Sequence, residues 1–283
     1  MVESLLAGFA ISVLISLAAY WRRSLAKSGV LGAIAIGTMI FGLGGWVWGL
    51  LLIAFFVLSS ALSHFKVSAK EAVAIKFDKG GRRDLGQVLA NGGAGALLAL
   101  AFALMPHPLL MAAFVGAMAT VNADTWATEL GVLSKRPPRL ITNGQVVEPG
   151  TSGGVSLLGT AATLAGALAM GLAVMLFVLI DGLLDGSVNA LLGTDGVGGG
   201  AWLVPSAVLG GLTGSLFDSL LGATVQAIYY SPSRHKETEK KIDPDGTPNE
   251  HRRGWQWLTN DWVNAFSSVA GALIGAACWG IVR

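Results

Sequence analysis

Long apolar stretches recur along the whole chain, and only short polar segments separate them. A helix needs about 20 mainly apolar residues to cross the hydrocarbon core of a bilayer. Most of the stretches are close to that length. The pattern therefore predicts an all-α fold: a single integral membrane domain over residues 1–283, built as a polytopic helix bundle. The predicted spans are residues 4–21, 29–42, 46–63, 87–105, 109–131, 152–180, 202–228 and 260–282.

The second stretch is shorter than the others, and a glycine cluster of Gly42, Gly44 and Gly45 lies at its end. Two arrangements of residues 29–63 are therefore open. They are a tilted pair of helices, giving eight spans, or a re-entrant hairpin, giving seven. Either arrangement returns the chain to the side of the membrane on which it started.

Composition supports the membrane assignment. Hydrophobic residues make up 53% of the chain and charged residues 13%, whereas about 25% of an ordinary soluble domain is charged. The composition therefore argues against a soluble protein. Membrane lipids are expected partners and nucleic acid is not, while the oligomeric state stays open.

Basic residues are sorted to one side of the predicted bundle. Of the 19 lysines and arginines, 18 lie in four connecting segments, and the positive-inside rule places such segments in the cytoplasm. Both chain termini are then outside, and the protein is expected in the cytoplasmic membrane. The four segments are residues 22–28, 64–86, 132–151 and 229–259.

Three polar stretches interrupt the spans: residues 122–129, 214–219 and 260–264. Ionisable groups inside hydrocarbon are costly, so they persist mainly where they line a polar site. The topology above puts all three stretches in the cytoplasmic half of the bundle. The sequence therefore predicts one polar site that faces the cytoplasm.

The first of these stretches carries polar residues on two helical faces. Asn122, Thr125 and Glu129 share one face at three- and four-residue spacing, while Asp124 and Thr128 point the other way. Two polar faces require two polar neighbours. This helix is therefore expected either at the centre of the bundle, or unwound near Asp124 where its backbone lines a cavity.

Small residues follow one face of each of the last two spans, which lets helices approach closely in lipid. Asp218 and Asn264 belong to these faces, so contact between them would bury a carboxylate against a neighbouring helix. The two spans are therefore predicted to pack through these stripes. The stripes consist of Gly210, Gly214, Asp218 and Gly222, and of Asn264, Ser267, Gly271 and Gly275.

A glycine-rich segment, residues 148–156, opens the long sixth span at the predicted cytoplasmic face. Thr151 or Ser152 is expected to cap the helix, and glycine leaves backbone N–H groups accessible at its positive end, which suits an anion. A plain helix start is the alternative. Arg139 and Arg82 in neighbouring segments favour a phosphate, because phosphoryl transfer needs acidic metal ligands facing basic groups.

The last basic segment contains two further features. An Asp-Pro-Asp-Gly sequence that begins at Asp243 is expected to form a turn rather than a calcium site. Trp255 and Trp257 are expected either to anchor the segment at the membrane interface or to cover the mouth of the site.

Seven motifs follow one another along almost the whole chain. They are Lys27-Ser28-Gly29; Gly80-Gly81-Arg82 with Gln87 and Asn91-Gly92; Asn122-Ala123-Asp124-Thr125 with Glu129 and Gly131; Pro138-Arg139 with Thr142; Gly150-Thr151-Ser152-Gly153-Gly154 with Ser156; Gly214-Ser215 with Asp218, Ser219 and Gly222; and Asn260-Asp261 with Asn264. This ordered set resembles the integral-membrane family that includes plant and cyanobacterial phytyl-phosphate kinases and the animal transmembrane protein nineteen.

The resemblance implies a membrane kinase. Its expected reaction moves a phosphoryl group from a nucleoside triphosphate, CTP by analogy with related prenol kinases, to a prenyl monophosphate. Phytyl, geranylgeranyl or farnesyl phosphate would give the corresponding diphosphate, with Mg²⁺ or Mn²⁺ as cofactor.

The same resemblance assigns roles to the motif residues. Asp124, Glu129, Asp218 and Asp261 would be metal ligands, and Asn122, Asn260 and Asn264 would orient phosphates or complete the metal shell. The nucleotide and the acceptor phosphate would be held by Lys27, Ser28, Arg82, Gln87, Asn91, Arg139, Gly150, Thr151, Gly153, Gly154, Ser156 and Ser215.

Two other activities stay open. Buried acids and glycine-broken helices also occur in ion-coupled secondary transporters, although a carrier needs polar groups that reach both membrane faces. A cytidylyltransferase that makes a CDP-lipid would share CTP, Mg²⁺ and a membrane-bound acceptor. It would release pyrophosphate, whereas a kinase releases CDP.

Overall fold

The computed structural model describes residues 2–65, 77, 81–185 and 200–282. Within these residues it contains eight helices that are long and apolar enough to cross a membrane, as the hydrophobic pattern predicts. The helices are α1 (Val2–Trp21), α2 (Lys27–Gly44), α3 (Trp46–His64), α4 (Leu85–Leu104), α5 (Pro108–Gly131), α6 (Leu157–Asp185), α7 (Leu203–Thr224) and α8 (Asn260–Val282).

Residues 29–63 form two separate helices, each long and apolar enough to cross a membrane, which favours the tilted pair over the re-entrant hairpin. α2 has 18 residues and α3 has 19, and only Gly45 lies between them. Gly45 has a φ of 92°, a conformation that glycine adopts at little cost. Its N–H donates to the Phe41 carbonyl at 3.1 Å, which satisfies the end of α2 before α3 begins.

α5 is the central helix of the bundle. It packs against α3, α4, α6, α7 and α8. In an apolar stretch of 18 residues, 67% of α5 is buried, whereas the corresponding share is 39% or less in the other helices. The helix is continuous from Pro108 to Gly131. The predicted central position is therefore confirmed, and unwinding near Asp124 is wrong.

Glycines let α5, α7 and α8 approach one another closely. A Cβ atom on Gly210 would lie 2.8 Å from both the Gly116 Cα and the Gly271 carbonyl oxygen, so a larger residue would push the helices apart. The Thr120 hydroxyl donates to the Gly116 carbonyl at 2.9 Å and to the Gly210 carbonyl at 3.0 Å. The predicted packing of α7 on α8 is confirmed, and α5 contributes a third helix to it.

The described parts of the basic segments are linked at one end of the bundle. The segment after α1 pairs with the segment before α4, since the Ala26 N–H donates to the Arg83 carbonyl at 2.9 Å. The Ser63 hydroxyl at the end of α3 donates to Glu129 at the end of α5, 2.7 Å away. Arg253 donates to the Gly222 carbonyl at the end of α7, at 3.0 Å. Most of segment 64–86 and most of the connection between α6 and α7 lie outside the described residues.

Two connecting segments contain small antiparallel sheets. The first sheet pairs β1 (Arg139–Leu140) with β2 (Gly154–Val155). The second sheet consists of β3 (Ile228–Ser231), β4 (Lys236–Thr238) and β5 (Glu250–Arg253), in the order β4-β3-β5. α7 ends at Thr224, before this second sheet and earlier than the predicted span.

The Asp243 sequence forms a turn, as predicted. The Gly246 N–H donates to the Asp243 carbonyl at 2.9 Å, and the buried Asp243 carboxylate accepts hydrogen bonds from Ser231, Ser233 and Asn249. These bonds, that from Ser231 above all, lower the pKa of Asp243 to about 2. The carboxylate therefore holds the loop together at neutral pH.

Cysteine labelling tests which side of the membrane the basic end faces. In a background without Cys278, single cysteines at the exposed positions Ser28, Lys135 and Asp245 should react with an impermeant maleimide only from the cytoplasm. A cysteine at the exposed Pro106 should react only from outside. Labelling of Lys135→Cys and Pro106→Cys from the same side would contradict the assigned topology.

Candidate functional site

A pocket of about 180 Å³ opens at the basic end of the bundle. It lies between the ends of α5 and α7, the starts of α6 and α8, and the two segments that contain the sheets. We call it the carboxylate pocket, because Asp124, Asp218 and Glu239 all line it. The polar face of α5 that carries Asp124 and Thr128 supplies one wall. The two polar faces of α5 therefore do meet two different neighbours, as the sequence predicts.

Two carboxylates from adjacent helices face this pocket. Asp124 on α5 accepts a long hydrogen bond of 3.4 Å from the Ser215 hydroxyl on α7. Asp218, one turn further along α7, has one carboxylate oxygen that is buried and has no hydrogen-bond partner among the described residues. A buried acceptor without a partner costs about 1–3 kcal/mol, and more when it is charged. The arrangement therefore suits a ligand that brings positive charge.

Glu239 is a third carboxylate of the pocket that sequence reasoning missed. One of its oxygens accepts hydrogen bonds from the Ser152 hydroxyl and from the buried Gln226 side chain, each at 2.8 Å. These bonds fix the carboxylate across the glycine-rich segment. Glu239 follows β4 in a stretch of mixed charges, Lys236 to Lys241, where nothing in the spacing distinguishes it from a solvated surface residue.

The glycine-rich segment forms one rim of the pocket but does not start the helix. Gly153 pairs with the first sheet, since its carbonyl accepts from the Ile141 N–H at 3.0 Å, and its φ is 83°. α6 begins only at Leu157, and the Ser156 hydroxyl accepts from the Gly159 N–H at 3.0 Å. The helix cap is therefore Ser156, and the prediction of Thr151 or Ser152 is wrong. Gly150, Thr151, Gly153, Gly154, Ser156 and Ser215 all line the pocket.

Gly153→Ala should disrupt this rim. A Cβ atom there would lie 2.4–2.5 Å from the backbone and side chain of Ala223 on α7, at a positive φ that L residues rarely adopt. We expect loss of most ligand binding in the pocket with insertion of the helices retained. The matched control is Gly93→Ala on α4, where an added Cβ has no neighbour within 4 Å. Equal ligand affinity in the two variants would show that the rim takes no part in binding.

α8 brings only part of its polar stretch to the pocket. Asn260, the first residue of α8, lines the pocket. Asp261 and Asn264 are half-buried in the first two turns of the same helix but are not among its lining residues. Trp255 and Trp257 are both 56% exposed and stack at 5.7 Å, and neither lines the pocket. The structure thus gives no support to their covering the mouth.

The other polar face of α5 points away from the pocket, towards α3. The fully buried Asn122 accepts from the Ser59 hydroxyl at 3.3 Å and donates to the Gly166 carbonyl on α6 at 2.8 Å. Glu129 accepts from Ser63. Asn122 therefore connects α5 to α3 and to α6 by hydrogen bonds. Glu129 does not line the pocket that Asp124 lines.

The motif residues of the first half of the chain lie at a second place. Gln87 and Asn91 line an apolar cavity between α1, α2, α3 and α4, and Gln87 also closes a capping box with Asp84 at the start of α4.

Lys27, Ser28 and Arg82 are exposed at the same end of the bundle, and Arg82 donates to the Leu25 carbonyl at 3.3 Å. The exposed Arg139 donates to the Gly144 carbonyl in its own hairpin, at 2.8 Å. The structure therefore places these residues apart from Asp124 and Asp218, and none of their side chains lines the carboxylate pocket.

The carboxylate pocket is acidic where the structure describes it. Its described lining contains three carboxylates and no lysine or arginine. A phosphate group would be repelled by this lining unless cations accompanied it. The pocket therefore favours a cation, or a phosphate compound that arrives with one.

The family follows from a match along nearly the whole chain. The family described as "Integral membrane protein DUF92" matches residues 10–272. The chain belongs to this family. It is an integral membrane protein, and the resemblance drawn from its motifs is confirmed at the level of the family.

Curated relatives extend over most of the chain. Protein PGR of Arabidopsis thaliana is 35% identical over 273 residues, which cover 91% of this chain and 90% of PGR. An uncharacterized membrane protein of Methanocaldococcus jannaschii is 29% identical and covers 89% of this chain and 85% of its own. The chloroplastic protein VTE6 of Arabidopsis thaliana is 26% identical and covers 88% of this chain and 64% of its own. No solved structure matches this chain.

Proposed function

We propose that this protein is a Mg²⁺-dependent membrane kinase that transfers the terminal phosphoryl group of a nucleoside triphosphate, CTP in the first instance, to a prenyl monophosphate. The observation that carries the proposal is the carboxylate pocket, with the unpartnered oxygen of Asp218 beside Asp124. The family resemblance supplies the reaction class, and the pocket supplies the chemistry that such a reaction needs.

The donor set of the pocket fits Mg²⁺. This ion prefers oxygen ligands, and it is usually held by one or two carboxylates together with substrate phosphates rather than by an all-protein cage. Asp124 and Asp218 would hold it, with Glu239 and Asn260 in the same lining. Among the described residues no three His, Cys, Asp or Glu side chains form a metal-binding group by themselves, which agrees with a site completed by phosphates. When bound, Mg²⁺ offsets the negative charge that two phosphorylated substrates bring together.

The chain's own groups would then orient the phosphates. Hydroxyls of Thr128, Thr151 and Ser219 line the pocket and suit donation to phosphate oxygens. An oxygen of the prenyl monophosphate attacks the terminal phosphorus, the bond from that phosphorus to the bridging oxygen breaks, and the nucleoside diphosphate leaves. No general base is needed, because a phosphate monoester already carries about −1.5 to −2 charges at neutral pH.

The position of the pocket also suits a lipid-like acceptor. Leu216 lines the pocket and is 42% exposed on the outer face of α7, so the polar pocket borders the surface that faces the lipid. The phosphate of an amphiphilic acceptor would reach the carboxylates from this side while its prenyl chain stays in apolar surroundings.

Product analysis tests this proposal. Purified protein would be incubated with Mg²⁺, CTP and farnesyl or geranylgeranyl phosphate, and the products identified by mass spectrometry. We expect the prenyl diphosphate and CDP. Formation of a CDP-lipid with pyrophosphate would identify a cytidylyltransferase instead. A transporter would be favoured if no turnover occurred with CTP, ATP, GTP or UTP and if the protein moved the prenyl phosphate across the membrane of proteoliposomes.

A further inference from the structure

A second cavity lies across the bundle from the carboxylate pocket and is lined by residues of α1, α2, α3 and α4. Its volume is about 80 Å³, and its walls are almost entirely apolar side chains, with Ile15, Ala33 and Ile53 from three different helices. A space of roughly 10–15 Å³ already holds one water molecule, but apolar cavities stay dry. The cavity is therefore suited to a stretch of hydrocarbon chain.

One charged side chain is among the described residues that line this cavity, and it is a cation. Arg83 lines the cavity and is only 9% exposed. Its guanidinium lies 5.7 Å from the centre of the Phe55 ring and 5.4 Å from that of Phe56, and it donates to the Ser60 hydroxyl at 3.0 Å. Burial lowers the pKa of Arg83 to about 10, an effect that Glu129 opposes, so the group is charged at neutral pH.

The backbone holds this cation in place. The Arg83 N–H donates to the Ser24 carbonyl at 3.0 Å, and the Arg83 carbonyl accepts from the Ala26 N–H at 2.9 Å. A guanidinium has five N–H donors, and hydroxyl and ring contacts leave capacity for an anion. Gln87 and Asn91, one turn apart on α4, add polar groups to the same lining.

We propose that this cavity binds a single-chain amphiphile, with its hydrocarbon chain between α1 and α4 and its anionic phosphate head on Arg83. An apolar cavity that has one buried cation at its wall complements the apolar chain and the negative charge of such a molecule. The volume of about 80 Å³ is too small for the two chains of a bilayer phospholipid, and it would enclose only the first part of a single chain. The prenyl monophosphate of the proposed function belongs to this chemical class, but binding here requires no turnover and is distinct from the carboxylate pocket.

Photolabelling tests this inference directly. The probe is a C15 alkyl monophosphate with a diazirine on the carbons next to the phosphate, added to detergent-purified protein and cross-linked by light, with labelled residues mapped by mass spectrometry. We expect labels on cavity residues of α1 to α4. Ala33→Phe, which fills the cavity, should remove these labels, whereas Ala35→Phe on the exposed face of α2 should retain them.

Arg83→Gln separates recognition of the head group from recognition of the chain. Hydrogen bonds to a charged group contribute enough for the phosphate probe to bind about tenfold more weakly in this variant. Arg22→Gln, an exposed charge removal at the same end of the bundle, should leave binding unchanged. The corresponding C15 alcohol should bind wild type and Arg83→Gln equally.

Several results would overturn the inference. They are labels outside the cavity in the wild-type protein, equal labelling in Ala33→Phe, or phosphate binding that ignores Arg83. Competition by phosphatidylglycerol in mixed micelles as effective as that by farnesyl phosphate would assign the cavity to bilayer lipid instead. Asp218→Asn serves to separate the two proposals, since it should stop turnover and leave the cavity labels unchanged.

Discussion

Asp218→Asn is expected to lower phosphoryl transfer by at least about 10²–10³-fold, the range found when one preorganised electrostatic contact to reacting groups is removed. Asp124→Asn should have an effect of the same order. The two carboxylates line the same pocket, and one oxygen of Asp218 has no partner among the described residues. The amide keeps the size of the side chain but removes the charge that would hold a cation.

The same substitution should leave the bundle folded. One oxygen of this buried carboxylate has no hydrogen-bond partner among the described residues, so removal of the charge is expected to be neutral or stabilising. The measurement is initial rate together with the melting temperature of the purified protein in detergent. Aggregation of Asp218→Asn on extraction would show a structural role instead.

Asp181→Asn is the matched control for these substitutions. Asp181 is another carboxylate within a long helix, but it lies near the far end of α6, where it accepts from the Trp46 indole N–H at 2.7 Å. Its substitution should leave the rate unchanged. An equal loss of rate in Asp181→Asn and Asp218→Asn would mean that turnover depends on buried carboxylates in general. The result would then give no reason to place the reaction in the carboxylate pocket.

Removal of divalent metal is expected to have the second large effect. Treatment with EDTA should abolish turnover, and Mg²⁺ or Mn²⁺ should restore it, because the described lining of the pocket has three carboxylates and no basic side chain to meet the phosphates. The free prenol should be a much weaker acceptor than its monophosphate, since it brings neither charge nor phosphate oxygens. Undiminished turnover in EDTA, or a preference for the alcohol, would contradict the proposed chemistry.

Much of the helical framework could be predicted from the sequence. Apolar length alone marks the eight helices, and the two polar faces of α5 place it at the centre, because each face needs its own polar neighbour. Ser215 on α7 and Ser59 on α3 are these neighbours. The glycine stripes likewise predict the contact between α7 and α8.

The lateral arrangement of the helices could not be predicted in the same way. Hydropathy and charge assign each segment to an end of the bundle, but they do not say which helices are adjacent there. Arg82 and Gln87 therefore lie at the predicted end of the bundle, but their neighbours there are α1, α2 and α3 rather than Asp124. Glu239 was not predicted as a site residue because its position beside Ser152 depends on the second sheet. No periodicity in this short segment indicates that sheet.

Local geometry explains the remaining difference, at the start of α6. Thr151 and Ser152 are good capping residues by type. However, the positive φ of Gly153 and the pairing of Gly154 with Leu140 in the first sheet keep this segment extended up to Ser156. The capping residue is the one at which the helix can begin. Here that position depends on a sheet between two strands that are separated in the sequence.

Metal binding tests the central claim most directly. Mn²⁺ would be titrated into purified protein with a non-hydrolysable CTP analogue, and free and bound ion followed by electron paramagnetic resonance. The account predicts saturable binding to the wild-type protein and to Asp181→Asn, and affinity at least about tenfold weaker in Asp124→Asn and Asp218→Asn, as is usual when a metal site loses one supporting group. Binding to Asp218→Asn with wild-type affinity would show that the carboxylate pocket does not hold the metal.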